Sequence, residues 1–180
     1  MRRGKRLETV IKVALLGIVA ALLWWFYKEG AFRFILENPK DFVLLVRQHL
    51  ELVFVSSGLA ILCAVPLGIM ATRPRFRKLR WFIINFANVG QTIPSLAVIG
   101  LTVSYLGLGF KTAVFALWFY SLLPILRNTV AGIESIDPFI LDAGRGIGMK
   151  PSQILWRLEL PNALYAIMAG IRTSVVINVG

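Results

Sequence analysis

Long apolar runs separated by short polar segments dominate the 180-residue sequence. A helix needs roughly 20 mostly apolar residues to cross a bilayer, and several runs approach that length. They occupy residues 10–27, 52–71, 82 to about 106, 112 to about 126 or 130, and 163–180. The pattern predicts an all-α fold, a polytopic membrane helical bundle with about five transmembrane helices. The run at 112–126 is the shortest of them.

Two sections of the chain differ in pattern. Residues 1–50 contain one apolar run followed by a segment with charges of both signs, which predicts an N-terminal anchor helix and an external loop. An amphipathic stretch at 42–50 fits a helix lying on the membrane interface. Residues 51–180 contain the other runs and form the predicted core. The last run is still apolar at Gly180, so we expect the last helix to be incomplete.

The charge balance excludes a soluble nucleic-acid binder. The chain has 20 Lys and Arg against 9 Asp and Glu, a net charge of +11 and a mean hydropathy of +0.73. A soluble basic domain needs more polar surface than this composition supplies. A membrane protein explains both values, because cytoplasmic loops collect Lys and Arg. The expected surroundings are therefore a lipid bilayer, with no nucleic-acid partner.

Basic residues also predict the orientation in the membrane. If successive runs alternate in direction and the N-terminus is cytoplasmic, the basic start, the cluster at 73–80 and the basic positions of 127–157 all lie inside. A cleaved signal peptide is the alternative for the first run, but that would require small residues where Trp24 to Tyr27 stand. We predict a multi-pass protein of the bacterial or archaeal cell (inner) membrane.

Residues 137–161, DPFILDAGRGIGMKPSQILWRLELP, form a polar segment between two apolar runs. Asp137 and Pro138 predict a helix start, because a carboxylate caps free amides and Pro fits the first helical position. Gly148 is expected to end this helix near Arg145, and Pro151 to open a second one. Pro161 is expected to mark the entry into the last span. An apolar stripe is predicted from positions at helical spacing: Ile136, Ile140, Ala143 and Ile147.

The spacing within this segment carries a motif. Asp142-Ala143-Gly144 is followed after three residues by Gly148, after nine more by Leu158, and then by Leu160-Pro161. This arrangement resembles the EAA-x3-G-x9-I-x-LP loop of permease subunits in ABC importers, with Asp142 in place of Glu, Gly144 in place of Ala and Leu158 in place of Ile. In that family the loop is the cytoplasmic coupling helix region that docks on the ATPase. An amphipathic hairpin without a partner is the alternative for any loop of this length.

Other strings extend the likeness over residues 50–180. Val65-Pro66-Leu67-Gly68, the QTIPS string at 91–95, PILRNT at 124–129 and IMAGIRT at 167–173 are similar to the osmoprotectant branch of binding-protein-dependent permeases. That branch takes up glycine betaine, carnitine, choline or proline betaine. The resemblance implies a permease core at 51–180 and a transmembrane subunit of an ATP-driven importer.

The same resemblance implies the partners. They are an ABC ATPase subunit, an extracytoplasmic substrate-binding protein and a second permease subunit, the same or related. ATP would be hydrolysed in the separate ATPase, so no enzymatic activity, catalytic residue, cofactor or metal is expected in this chain. The GRGIG string at 144–148 lacks the Gly-Lys-Ser/Thr ending and the preceding strand of a phosphate loop.

A candidate translocation pathway follows from an interruption in the third run. Gly90 and Pro94 disturb the helix there, and the carbonyls that this frees are tolerated at membrane depth only beside protein or a water-filled cavity. The candidate pathway residues are Gln91, Thr92, Pro94 and Ser95. A kink that serves packing alone is the alternative. Arg172, ionisable within the last run, faces a bundle interior or cavity, or else reaches the cytoplasmic edge or pairs with Glu159.

Three other functions remain open from the sequence. An importer of another small amine or amino acid fits equally well, because an aromatic cage for a quaternary ammonium would belong to the binding protein. An ion-coupled secondary transporter usually places carboxylates within its spans, whereas Asp and Glu here lie outside the apolar runs. A membrane enzyme would need clustered His, Cys or carboxylate groups.

Overall fold

A computed structural model of the chain describes residues 2–30, 33–90 and 92–180, without the side chains of 2–7, 9, 10, 77–79 and 95. These residues form helices and connecting turns. The helices are α1 (Arg2–Lys28), α2 (Arg33–Glu37), α3 (Pro39–Ala71), α4 (Arg77–Gly90), α5 (Ser95–Leu106), α6 (Phe110–Glu134), α7 (Pro138–Gly146), α8 (Pro151–Ile154) and α9 (Leu160–Val179). A 3₁₀ turn at Pro74–Phe76 precedes α4, and a π-turn at Leu155–Glu159 precedes α9.

The chain forms two compact units, Met1–Gln48 and His49–Gly180. The first contains α1, α2 and the beginning of α3. The second contains the rest of α3 and all later helices. A functional division into residues 1–50 and 51–180 stays a prediction.

The predicted all-α membrane bundle is confirmed, but the number of helices long enough to span the membrane differs from the prediction. In the described part of the chain, four helices are long and apolar enough to cross a membrane: Ile11–Lys28, Pro39–Ala71, Phe110–Glu134 and Pro151–Val179. The run at 82–106 forms instead two shorter helices, α4 of 14 residues and α5 of 12. Pro94 precedes α5 with extended backbone, at ψ 136°, so the helix stops and restarts there.

The ends of α3 and α6 differ from those predicted. The run predicted to be the shortest belongs to α6, which has 25 residues and continues through Pro124 to Glu134. The stretch at 42–50, predicted to be an amphipathic helix within the external loop, is helical, but it is continuous with the span as part of α3, which begins at Pro39. Hydropathy identifies only the apolar part of a helix, whereas the backbone hydrogen bonds of the helix continue through its polar turns.

Small residues bring the core helices close together. Four small residues at four-residue spacing are buried along one face of α3: Ser56, Ala60, Ala64 and Gly68. Small residues at this spacing permit close approach of helices in lipid. A Cβ atom added at Gly68 would lie 2.7 Å from Cβ of Thr129 on α6. Three residues further along α6, a Cβ atom added at Gly132 would lie 2.7 Å from Cβ of Ala166 on α9. Therefore α6 packs tightly against both α3 and α9.

The contacts between α6 and α9 also give their relative direction. Gly132 near the end of α6 packs on Ala163 and Ala166 near the start of α9, whereas Gly170 packs on Pro124 and Ile125. The two helices are therefore antiparallel. Near the far end of α9, Nδ2 of Asn178 donates to Oγ of Ser56 at 3.0 Å and to Oγ of Ser57 at 2.9 Å, which joins α9 to α3.

We expect Gly170→Ala to destabilise the permease, because the new methyl group would meet backbone atoms of α6 that cannot rotate away. The added Cβ would lie 2.9 Å from the Pro124 carbonyl oxygen, and overpacking of this kind costs about 1–3 kcal/mol. Gly100→Ala is the control, because nothing lies within 4 Å of its Cβ position. Thermal unfolding of the detergent-solubilised protein should show a lower midpoint for the Gly170 variant alone. Equal midpoints would contradict the close α6–α9 contact.

Candidate functional site: the hairpin between α6 and α9

The segment between α6 and α9 folds as a hairpin of residues 137–159, named here the α7–α8 hairpin. Oδ1 of Asp137 accepts from the backbone amide of Phe139 at 2.9 Å, and Pro138 occupies the first turn of α7. The predicted helix start is confirmed. The side chain of Asp137 satisfies one of the amides that have no partner inside the helix.

Gly148 reverses the chain after α7. Its φ of +80° lies in the left-handed region, which residues with a Cβ atom adopt only at a cost. Its amide donates to the Arg145 carbonyl at 2.9 Å, and the Met149 amide donates to the Gly144 carbonyl at 3.0 Å. These bonds end α7 one residue beyond Arg145, in agreement with the sequence.

The second half of the hairpin is continuous with the last span. After α8, the π-turn at Leu155–Glu159 leads directly into α9, and the Leu160 amide donates to the carbonyl of Leu155. The prediction that Pro161 marks the entry into the last span is confirmed, because α9 begins at Leu160 and Pro161 lies in its first turn. Proline collides with the carbonyl of the preceding turn in a regular helix, and the wider π-turn before Pro161 relieves that collision.

Two motif residues, Gly144 and Leu158, pack against each other inside the hairpin. Gly144 is buried, and a Cβ atom added there would lie 2.6 Å from Cδ1 of Leu158. Both positions depart from the motif, with Gly in place of Ala and Leu in place of Ile. The absence of a side chain at Gly144 leaves the space that Cδ1 of Leu158 occupies.

The rest of the hairpin presents an apolar surface. Phe139 is 82% exposed, Ile147 is 80% exposed and Trp156 is 70% exposed, whereas Ile136 is buried. The predicted stripe is therefore divided: Ile136 belongs to the core, and the positions from Ile140 onward are open. Large exposed apolar side chains outside an apolar span are typical of a surface that contacts a protein or a membrane.

The remaining motif residues lie around this surface. Asp142 and Ala143 are exposed on α7, and Nη1 of Arg145 donates to Oδ1 of Asp142 at 2.6 Å. Leu160 is half-buried and Pro161 is exposed. The structure thus brings Gly144 and Leu158 into contact and leaves Asp142, paired with Arg145, and Ala143 exposed on α7.

Ion pairs at the base of the hairpin differ from the sequence expectation. Glu159 is 6% exposed and pairs with Arg73, whose Nη1 donates to Oε1 at 3.1 Å while Nη2 donates to Oε2. The suggested pairing of Glu159 with Arg172 is therefore wrong. A second pair joins Nη2 of Arg80 to Oε2 of Glu134 at 2.9 Å. Sequence reasoning interpreted Arg73 and Arg80 only as topology signals.

Arg172 lies on an open side of α9. Buried residues of this helix include Ile167, Gly170 and Ser174, and the 100° step of a helix places Arg172 away from them. Its side chain is exposed. Thirteen residues separate it from Glu159, about 20 Å along a helix, so it lies well inside the span.

The structure describes only some of the candidate pathway residues. Gln91 and the side chain of Ser95 lie outside the described residues. Thr92 and Pro94 are exposed in the break between α4 and α5, and Oγ1 of Thr92 donates to the Val89 carbonyl at 2.7 Å. A pathway role for Gln91, Thr92, Pro94 and Ser95 stays a prediction.

The break itself is packed against α6. A Cβ atom added at Gly90 would lie 2.7 Å from Cδ1 of Leu123, and the hydroxyl of Tyr120 donates to the Ile93 carbonyl at 2.9 Å. This bond satisfies a carbonyl that the interrupted helix leaves free. The sequence offered a signal for Tyr120, since a tyrosine hydroxyl within an apolar run needs a polar partner.

A cavity of about 470 Å³ lies beside the break. Its walls are apolar or aromatic, with the hydroxyls of Thr102 and Tyr105 as the polar groups among the lining residues. The Thr102 hydroxyl donates to the Val98 carbonyl. Among the described residues, no charged side chain lines this cavity. In the described residues, no cluster of His, Cys, Asp or Glu could hold a metal ion.

Comparisons with known proteins identify the class. Residues 64–180 match the family described as binding-protein-dependent transport system inner membrane component. The chain belongs to this family. It is therefore a multi-pass membrane protein of the permease class of binding-protein-dependent importers.

Individual relatives narrow the branch. The chain is 40% identical over 148 residues to the choline transport system permease protein OpuBB of Bacillus subtilis (strain 168), covering 82% of this chain and 67% of the relative. It is also 40% identical over 147 residues to the glycine betaine/carnitine/choline transport system permease protein OpuCB of the same organism, with the same two coverages. The chain thus spans about two thirds of the length of these relatives.

A solved structure supports the fold. The inward-facing MetNI methionine ABC transporter has a chain that matches with a TM-score of 0.63 at 22% identity, over 79% of this chain and 73% of its own. At this identity the likeness concerns the helical architecture.

We expect Gly148→Ala to weaken the α7–α8 hairpin by about 1–2 kcal/mol, because a side chain disfavours the left-handed backbone. Gly146→Ala is the matched control two residues earlier, where the backbone is helical and nothing lies within 4 Å of the added Cβ. Limited proteolysis in the hairpin of the membrane-embedded protein measures the effect. Faster cleavage is expected for the Gly148 variant only, and identical cleavage of both would contradict the strained turn.

Proposed function

We propose that this chain is the transmembrane permease subunit of an ATP-driven importer that takes up a small osmoprotectant such as glycine betaine, choline or carnitine. The observation that carries the proposal is the exposed apolar surface of the α7–α8 hairpin, held between two packed spans. ATP hydrolysis belongs to a separate ATPase subunit. A binding protein delivers the substrate from outside, and the N-terminus is cytoplasmic.

Docking of the ATPase on the hairpin is supported by exposure and by rigidity. Phe139 and Ile147 offer side chains to a partner, while the contact of Gly144 with Leu158 holds the two halves of the hairpin together. A rigid surface loses little conformational entropy when it binds. The spacing of the motif residues supports the same role.

Transmission of the ATPase movement is supported by helix continuity. From Pro151 to Val179 the chain is one uninterrupted helical path, so displacement of the hairpin moves α9 with it. Because α9 packs directly on α6 and α3, this displacement changes the arrangement of the core helices. Alternating access then follows as a two-state movement of packed elements.

Pairing with a second permease subunit is supported by Arg172. A charged group far inside a span is costly in lipid and faces protein or water. The described residues of this chain leave Arg172 exposed, so we place a second permease subunit or the water-filled pathway between the two subunits on this side of α9.

The substrate class is supported by the two Bacillus subtilis relatives, whose names give choline, glycine betaine and carnitine. All three carry a quaternary ammonium group. An importer of another small amine or an amino acid is the alternative. An ion-coupled secondary transporter is disfavoured, since the family is one of binding-protein-dependent systems.

A cysteine crosslink tests the docking. Cys63→Ala removes the native thiol, and a cysteine at Ile147 of the complete permease is probed in membranes that contain its ATPase. Ile147 is preferable to Gly144, which is buried against Leu158. We expect a specific crosslink whose yield changes with ATP.

The matched control is a cysteine at Tyr165, which is 90% exposed on α9 but lies in the span. It should give no crosslink to the ATPase. Equal yields at both positions, or none at Ile147 while a cytoplasmic thiol reagent still reaches it, would refute ATPase docking.

Uptake tests the substrate class. Proteoliposomes with the complete permease, its ATPase and its binding protein should accumulate labelled glycine betaine, choline or carnitine in an ATP-dependent manner, with unlabelled analogues competing. Accumulation of an amino acid without competition by quaternary amines would favour the alternative cargo. Accumulation driven by an ion gradient without ATP would contradict the ABC mechanism.

A further inference from the structure

We propose that residues 73–80, named here the basic segment, form a brace that positions the α7–α8 hairpin through the Arg73–Glu159 and Arg80–Glu134 ion pairs. The proposal rests on the proposed function and adds positioning residues to it. The brace holds the hairpin at the orientation in which ATPase movement is passed to the spans.

The carboxylates of the two ion pairs lie at the two ends of the hairpin. Glu134 is the last residue of α6, and Glu159 is the last residue of the π-turn before α9. Each pairs with one arginine of the basic segment, across 54 and 86 residues of sequence. Both ends of the hairpin are therefore tied to a third element that belongs to neither flanking span.

The basic segment connects the hairpin to two further helices. Arg73 lies two residues after the end of α3, and Arg80 lies in the first turn of α4. The path continues along α4 to Gly90, where the helix breaks. Movement of the hairpin base can thus reach the broken helix as well as α6 and α9.

The π-turn gives Glu159 its direction. In an α-helix, residues five apart point about 140° away from each other, whereas the wider π-turn, with its bond from residue i to i+5, reduces that angle. Ile154 and Glu159 are both buried. The extra residue lets Ile154 pack toward Gly144 while Glu159 meets Arg73.

The two ion pairs differ in burial, and therefore in how much each contributes to the brace. The Glu159 side chain is 8% exposed and that of Arg73 is 31% exposed, against 37% for Glu134 and 43% for Arg80. A buried carboxylate that loses its partner is strongly disfavoured, whereas half-exposed pairs contribute little. Arg73–Glu159 is therefore the dominant contact of the brace.

The test compares Arg73→Gln, Glu159→Gln and the charge swap Arg73→Glu with Glu159→Arg, in the complete permease with its ATPase and binding protein. Two readouts are taken: substrate accumulated per ATP hydrolysed, and the crosslink from a cysteine at Ile147 to the ATPase. The crosslink reads hairpin position whatever the cargo is.

Arg73→Gln should lower substrate accumulated per ATP by about tenfold or more, since it leaves a buried carboxylate unpaired. Glu159→Gln should have a smaller effect, because its amide can still accept from Arg73. The ATP dependence of the crosslink should be lost in parallel, and the swap should recover both readouts at least in part. If Arg73→Gln does not assemble, the Glu159→Gln and swap complexes decide.

Glu37→Gln is the matched control, because it breaks an Arg–Glu pair of α2 in which both side chains are more than half exposed. It should leave both readouts unchanged. Unchanged coupling and crosslinking in both single variants, or losses that the swap does not recover at all, would overturn the brace. Absence of uptake by the unaltered complex would instead contradict the proposed function, and the crosslink would still test the brace.

Discussion

The close contact of α6 with α3 and α9 is the constraint on which the rest of the structure depends. Lipid gives apolar helices little reason to associate, so association relies on close packing and a few polar contacts. Gly68, Gly132 and Gly170 supply that packing by removing side chains where another helix passes. Because α6 and α9 are also the helices on either side of the α7–α8 hairpin, their contact fixes the base from which the hairpin projects.

A second constraint is that backbone groups within a membrane need partners. The break between α4 and α5 leaves the carbonyl of Ile93 without its helical bond, and the Tyr120 hydroxyl supplies a replacement. The π-turn before α9 meets the same requirement through an i to i+5 bond. Irregular backbone therefore occurs where α6 or the hairpin itself satisfies it, and these are the places that a transport cycle would use.

Sequence patterns predicted the elements that depend on local chemistry. Asp137, Pro138 and Gly148 determine the backbone conformation at or next to their own positions. The structure has the start of α7 and the turn after it at the positions that these residues predicted. Long-range contacts were not predictable in this way. The Arg73–Glu159 pair spans 86 residues, and a basic residue next to a span is explained equally well by membrane orientation. Pro161 lies in the first turn of α9, as predicted, but the π-turn that joins α8 to α9 was not predicted, because it has no simple sequence signature.

We infer that the hairpin and α9 move as one rigid lever. The distance between spin labels at Ile147 and Tyr165 within one chain, measured by electron paramagnetic resonance in the assembled complex with Cys63→Ala, tests this movement. We expect the same narrow distance distribution with and without bound ATP, while distances between the two permease subunits change. A distribution that shifts or broadens when ATP binds would show a hinge at Gly148 or Pro161 and contradict the lever.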